Sequence, residues 1–344
     1  MSTVSLRAAW LPNRWVTTAG SSVPPGNVTG MSMTLKATCP EDVLAAVPVV
    51  LGFAPEDSLV MLTFGAREQF HARIDLPHSH DHVEDCVAAV LRPALIHGVR
   101  SVFFVQYAAD EVLARRLARR LAQRFERAGI EVLDSIRAHD GRWFAAVPRR
   151  DVPPEGIAYD VSGHAFRASA VFDGRVTLES RAAVAARVAT DHDLVLETER
   201  SLAVASPLTR AGVVGLLSRC LRFGRVANTD DLAALLLALC DPVIREQAWR
   251  GVHREDAVGH VALWCDVVRR CPERLVAHPA AILALVAWLA GDGALAWCAL
   301  DRCFAADPDH RLAVVVAQML TEAVSPSSWD TGETAHGETV ASGG

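Results

Sequence analysis

Val99-Arg100-Ser101-Val102-Phe103-Phe104-Val105-Gln106-Tyr107 is a nearly unbroken apolar run, short, aromatic and β-branched, and it reads as a central strand buried on both faces. The stretch after it, Asp110–Ala128, opens on an acidic residue. It places Leu113, Leu117, Leu121 and Phe125 at i, i+4 spacing and closes on Gly129, so it predicts an amphipathic helix. Ile130–Ala138 then predicts a second strand, and Arg142–Val147 a third, joined by His139-Asp140-Gly141, whose Asp-Gly pair suits a tight hairpin. Strand, helix, strand and hairpin in that order predict an α/β layer with a mixed sheet.

Working outward, Thr38-Cys39-Pro40-Glu41 carries a Thr N-cap, an early proline and a glutamate that closes a capping box, and predicts a helix ending at Pro48. Leu59–Phe64 and Phe70–Leu76 predict a hairpin, with Phe70, Ala72, Ile74 and Leu76 on its dry face and His71, Arg73 and Asp75 on the other. Val83–His97 predicts a helix kinked or broken at Pro93. Pro148–Gly156 reads as a loop leaving the sheet. The domains expected are a flexible leader over 1–33, an α/β domain over 34–155, a connecting segment over 156–180, a helical region over 181–321 and a disordered tail over 322–344. The expected helices after residue 180 are Arg181–Ala189, Arg210–Leu221, Asp230–Cys240, Pro242–Trp249, Ala257–Arg270, Ala280–Ala290, Ala294–Phe304 and His310–Thr321. Near 277–310 the positions of Leu283, Ala284, Gly291, Ala296, Leu300, Cys303 and Pro308 fit one tetratricopeptide-like hairpin. A single unit of that kind cannot bury its own face and has to pack on its neighbours.

At 344 residues, 51% hydrophobic and 22% charged, the composition is that of an ordinary globular chain, and it excludes fibrous and wholly disordered classes. The formal net charge of −6 argues against generic nucleic-acid binding. Much of that charge sits in the tail, which supplies Glu322, Asp330, Glu333 and Glu338 and no lysine or arginine. Apolar runs stop short of a membrane span and no signal-peptide pattern is seen, so a cytoplasmic protein without a membrane partner is expected. The eight cysteines include no C-x-x-C pair and read as small buried residues. No cofactor and no metal are expected. Phosphate-loop, dinucleotide, nucleophile-elbow and zinc-protease motifs are missing.

Several groups of residues carry possible chemistry. Asp57 and Ser58 before one strand, with Arg73 and Asp75 on the polar face of the next, can orient an anionic or hydroxylated ligand, or can simply form an internal ion pair and a turn cap. Arg142 and Trp143 can stack on a planar ligand, or split between surface and core. Arg115, Arg116, Arg119, Arg120, Arg124 and Arg127 form a basic helix face that reads either as a partner surface or as an ordinary solvated face. His78, Ser79, His80, Asp81 and His82 read as a polar loop with Ser79 or Asp81 as cap, against the alternative of a metal site.

The run from Thr38 through Val60, with Pro48, Gly52 and Pro55-Glu56-Asp57-Ser58 inside it, resembles the opening of the actinobacterial domain of unknown function 4192 family. The likeness continues through Ala72–Pro77, Asp140–Trp143, Pro153–Gly156, Gly174–Val176 and Gly291–Ala296, and covers about residues 34–321. The resemblance brings no activity. It implies a start at Met31 or Met33, upstream of Leu35, and clustered cysteines where this chain has Val147–Val152. The function expected is a non-enzymatic interaction or regulatory protein with a protein partner. The alternative is an enzyme or small-molecule binder with a cleft near Asp57, Ser58, Arg73 and Asp75.

Overall fold

The computed structural model describes residues 37–66, 70–77, 79–172 and 177–329, together with the backbone of four short upstream strands, β1 (Val4–Arg7), β2 (Trp10–Leu11), β3 (Arg14–Trp15) and β4 (Met33–Lys36). β1 pairs with β4 in parallel and β2 with β3 antiparallel. The rest of the expected leader, His78, the Gly174–Val176 block and the tail from Asp330 lie outside the described residues. The chain forms two compact units, residues 1–181 and 182–344.

In the first unit, α1 (Pro40–Leu51) is followed by β5 (Ser58–Phe64), β6 (His71–Asp75), α2 (Val83–Ile96), β7 (Ser101–Tyr107), α3 (Glu111–Arg127), β8 (Glu131–His139), β9 (Arg142–Ala145), β10 (Ile157–Ala158) and α4 (Ala165–Phe172). The strands make one mixed sheet in the order β10-β9-β8-β7-β5-β6, with β7 and β8 parallel and every other neighbour antiparallel. β7 therefore lies inside the sheet, as its apolar run requires. Its alternate residues feed two cores. Phe103 and Val105 join Val43, Leu44 and Val47 of α1 on one face, while Val102 and Phe104 join Val87 and Val90 of α2 and Leu117, Leu121 and Phe125 of α3 on the other.

Three expectations change. Pro48 does not stop α1, which runs on to Leu51 and ends at Gly52. A proline inside a helix costs roughly 3 kcal/mol, and here the burial of every residue from Val43 to Val49 offsets it. The capping side chain also shifts: Cys39 occupies the N-cap position, and Thr38 donates through both its amide (2.6 Å) and its hydroxyl (2.7 Å) to Asp42 Oδ2. Third, the segment expected to connect domains from 156 to 180 belongs to this unit. β10 extends the sheet edge on β9, α4 packs against α1, and Leu178 exchanges backbone hydrogen bonds with Gly52 (2.8 Å) and Ala54 (3.0 Å).

The second unit is helical: α5 (Arg181–Ala186, whose first residue falls at the boundary), α6 (His192–Leu202), α7 (Arg210–Phe223), α8 (Thr229–Ala238), α9 (Pro242–Gln247), α10 (Ala257–Arg270), α11 (Ala277–Leu289), α12 (Gly293–Ala306) and α13 (Arg311–Thr321). α11 is buried along its whole length from Pro279 to Leu289, with α10, α12 and α13 packed around it. Such a helix is apolar on all sides because no side meets water. Residues 322–329 of the expected tail are described, and they are bonded to the helical bundle. Trp288 donates its indole N–H to the Val324 carbonyl at 3.1 Å, and Trp329 donates to the Val252 carbonyl at 3.2 Å, so 322–329 packs onto the bundle. Among the described residues no helix is long and apolar enough to cross a membrane.

Buried imidazoles make both units acid-sensitive. Burial pushes His71 of β6 down to about 4 from an ordinary value of 6.5, and burial together with the Arg245 charge lowers His278 to about 4 and His310 in the same direction. Between pH 6.5 and 4 the unfolded chain takes up protons at these sites and the folded chain does not, so stability is complete above 6.5 and falls as pH drops through that window. Urea midpoints at pH 7 and pH 4.5 measure the loss. His71→Gln narrows the difference; an unchanged difference in that variant counts against His71 as a contributor.

Candidate functional site

The candidate residues of the α/β unit gather at one end of its sheet. β5 runs antiparallel to β7, so the first residue of β5, Ser58, lies opposite Tyr107 at the carboxyl end of β7, and on its other side opposite Asp75 at the end of β6. Arg142 lies opposite His139, so the β8–β9 turn comes to the same end. Open α/β sheets place ligands at the carboxyl ends of their parallel strands.

Within this end, Ser58 is buried and donates its hydroxyl to the Glu56 carbonyl. Arg73 donates through Nε to Ser58 Oγ at 2.8 Å and pairs through Nη1 with Asp75 at 2.7 Å, with a further bond to the Glu56 carbonyl at 3.4 Å. The structure thus brings Ser58, Arg73 and Asp75 into one internally bonded set. Asp57 stands beside it, exposed, with a positive φ of 42°. Tyr107 and Tyr159 lie on the same face, and burial holds both phenols above their ordinary value.

Arg142 and Trp143 are adjacent in β9 and so face opposite sides of the sheet. Arg142 is spent on the carbonyls of Glu155 (2.7 Å) and Gly156 (2.8 Å), and Trp143 is a core residue whose indole N–H donates to Glu41 at 2.7 Å. They are not placed to hold a planar ligand together. Nearby, His164 Nε2 meets Asp42 Oδ1 at 3.1 Å while the Phe166 amide donates to Nδ1 at 3.3 Å. That pair of bonds puts the imidazole proton on Nε2 and ties the start of α4 to the start of α1.

The basic face of α3 is partly neutralised. Arg115 pairs with Glu111, and Arg120 and Arg124 share Glu84 of α2, whereas Arg116, Arg119 and Arg127 are exposed. In the histidine loop, Ser79 caps the short turn His80–His82 by accepting from the Asp81 amide at 3.3 Å, and its Oγ lies 3.0 Å from His82 Nδ1. Among the described residues no group of three or more His, Cys, Asp or Glu side chains could hold a metal ion. None of the eight cysteines is in a disulfide; five are buried, and burial raises thiols such as Cys86 and Cys303 to about 12.

One residue of this end went unread in the sequence. Arg137 of β8 is 6% exposed, donates from Nη1 to the Ala108 carbonyl at 3.1 Å and lies 4.0 Å over the Phe144 ring. Desolvation lowers its proton affinity. The signal available was an arginine on a strand whose flanking residues, Ile136 and Ala138, are apolar, with no acid at the cross-strand positions.

No curated protein and no solved structure matches this chain. The family description that does match, Domain of unknown function (DUF4192), spans residues 40–327, and on that span the chain belongs to the DUF4192 family.

Proposed function

We propose that the chain is a non-enzymatic interaction or regulatory protein, acting through a protein partner that docks on the helical unit. Here α11 and α12, joined at Gly291, serve as a tetratricopeptide-like hairpin that scaffolds the unit, since α11 has no open face to offer a peptide. The observation that carries this reading is the end of α7. Phe223 is 64% exposed and Val226 56% exposed, with Arg222 and Arg225 exposed around them. Large apolar side chains beside unpaired guanidinium groups are the composition of interface hot spots, and this pattern suits a partner with acidic and apolar side chains.

The test is quantitative affinity purification from the native host with wild type and a Phe223→Ser, Val226→Ser double variant. A stoichiometric partner retained by wild type and lost by a variant of unchanged thermal midpoint is the expected result. Reproducible turnover of a metabolite by the purified protein, abolished by Asp57→Asn or Asp75→Asn, would overturn the reading in favour of an enzyme at the Asp57, Ser58, Arg73, Asp75 end. That second reading is favoured by one observation, the two uncovered carboxylates of Asp57 and Asp75 flanking a buried serine hydroxyl.

A further inference from the structure

A guanidinium taken out of water loses hydration that must be replaced, and structures normally replace it with a carboxylate. At Arg137, 6% exposed, the protein replaces only part of it, and the nitrogens left unbonded by the protein remain in reach of water. One amino group bonds the Ala108 carbonyl at 3.1 Å, and one face of the plane rests on Phe144. Among the described residues no carboxylate lies within ion-pair distance of it. The neighbouring acids are committed: Glu111 to Arg115, and Asp110 to the amides of Val112 (2.8 Å) and Leu113 (3.0 Å) at the start of α3. Directly across the parallel register from Arg137 is Gln106, 0% exposed, whose amide nitrogen reaches Ser135 Oγ at 3.4 Å while its Oε1 is buried without a partner. A buried guanidinium with no carboxylate in ion-pair contact therefore lies where β7 and β8 end, and its single protein acceptor is the Ala108 carbonyl.

We propose that this is a binding site for a small oxyanion ligand, a phosphate or carboxylate group received by the in-plane N–H groups of Arg137 that the protein leaves unbonded. The position is independent support. The loops Ala108–Asp110 and His139–Gly141 leave the carboxyl ends of the parallel pair. Because Phe144 already covers one face of the guanidinium, recognition is edge-on and two-pronged, a geometry that an oxyanion matches and that lysine would not reproduce. The site is separate from the Ser58, Arg73, Asp75 set, which lies on the other face of the sheet, and it does not depend on the interaction reading above. In a regulatory protein it would be the sensing element.

The full-length protein is titrated with inorganic phosphate and, separately, with acetate, against chloride at matched ionic strength. The arginine side-chain Nε–H resonances and the thermal midpoint are followed. The expected result is a saturable shift of a resonance assigned to Arg137 by its absence in Arg137→Lys, accompanied by a rise in midpoint. Apparent affinity in Arg137→Lys is expected to fall about ten-fold or more, the scale of a lost charge-assisted pair. Arg119→Gln, on the exposed face of α3, is expected to bind as wild type does. A response to phosphate alone assigns a phosphorylated ligand, to acetate alone a carboxylate, and to both a simple oxyanion. If Arg137→Lys does not fold, Phe144→Leu removes the stack and keeps the charge, and is expected to displace the same resonance and weaken binding. No saturable shift with either anion, or equal affinity in Arg137→Lys or Phe144→Leu, overturns the proposal.

Discussion

Replacing Trp264 with alanine is expected to lower the stability of the helical unit by about 3–5 kcal/mol, and replacing it with phenylalanine by about 1 kcal/mol. Trp264 is 0% exposed, on a helix, α10, that packs against α6, α7 and α11. Truncation to alanine removes the largest fully buried side chain and leaves a void that several helices cannot close together. Phenylalanine leaves a smaller void and also deletes the indole N–H, which is buried without an acceptor. An unsatisfied buried donor costs about 1–3 kcal/mol, so its removal returns part of what the smaller ring loses. Against a total stability of about 5–15 kcal/mol, the alanine variant should show a much lower urea midpoint by far-UV circular dichroism. Equal losses in the two variants would refute the role of the orphan donor, and an alanine variant within about 0.5 kcal/mol of wild type would refute the packing argument itself.

The elements read most directly were those whose period and burial agree. α3 has one apolar stripe and one cap, Asp110, and it forms within a residue or two of its expected bounds. The β5–β6 hairpin and the Asp140-Gly141 turn were legible for the same reason: alternation and turn chemistry are local properties. What escaped was decided by tertiary contact. α1 runs through Pro48 because both flanks of that proline are buried. α4 and α6 were not read in the sequence; the first is secured by His164 on Asp42, the second by its Asp191 cap and by packing on α8 and α10. Trp329, in a stretch that composition assigns to a tail, is held by its bond to the Val252 carbonyl.

The candidate site divides in the same way. Sequence spacing placed Ser58, Arg73 and Asp75 near one another because a hairpin register is short-range, and the structure joins them. Arg137 stayed hidden because its significance comes from what is missing around it. The lack of an acid near a guanidinium is a property of three strands and a helix start taken together, and no spacing along the chain encodes it.

The last expectation concerns Gly156, which ends the Pro153-Pro154-Glu155-Gly156 block. Its φ is +73°, and a methyl group built there would come within 2.6 Å of the Phe144 ring and 2.8 Å of the Trp143 carbonyl. The left-handed backbone alone costs an alanine about 1–2 kcal/mol, and crowding adds about 1–3 kcal/mol, so Gly156→Ala should destabilise the α/β unit by about 3 kcal/mol. Gly52 supplies the control. It has a φ of +81° but nothing within 4 Å of the same added atom, and Gly52→Ala should therefore cost only the conformational part, about 1 kcal/mol. The difference between the two variants, read from urea unfolding, isolates the crowding against Phe144. Because Phe144 is also the ring on which Arg137 rests, Gly156→Ala should weaken phosphate or acetate binding more than Gly52→Ala does. Equal destabilisation by the two alanines would show that Phe144 moves aside freely, and a ring that yields so easily is not what holds Arg137 in place.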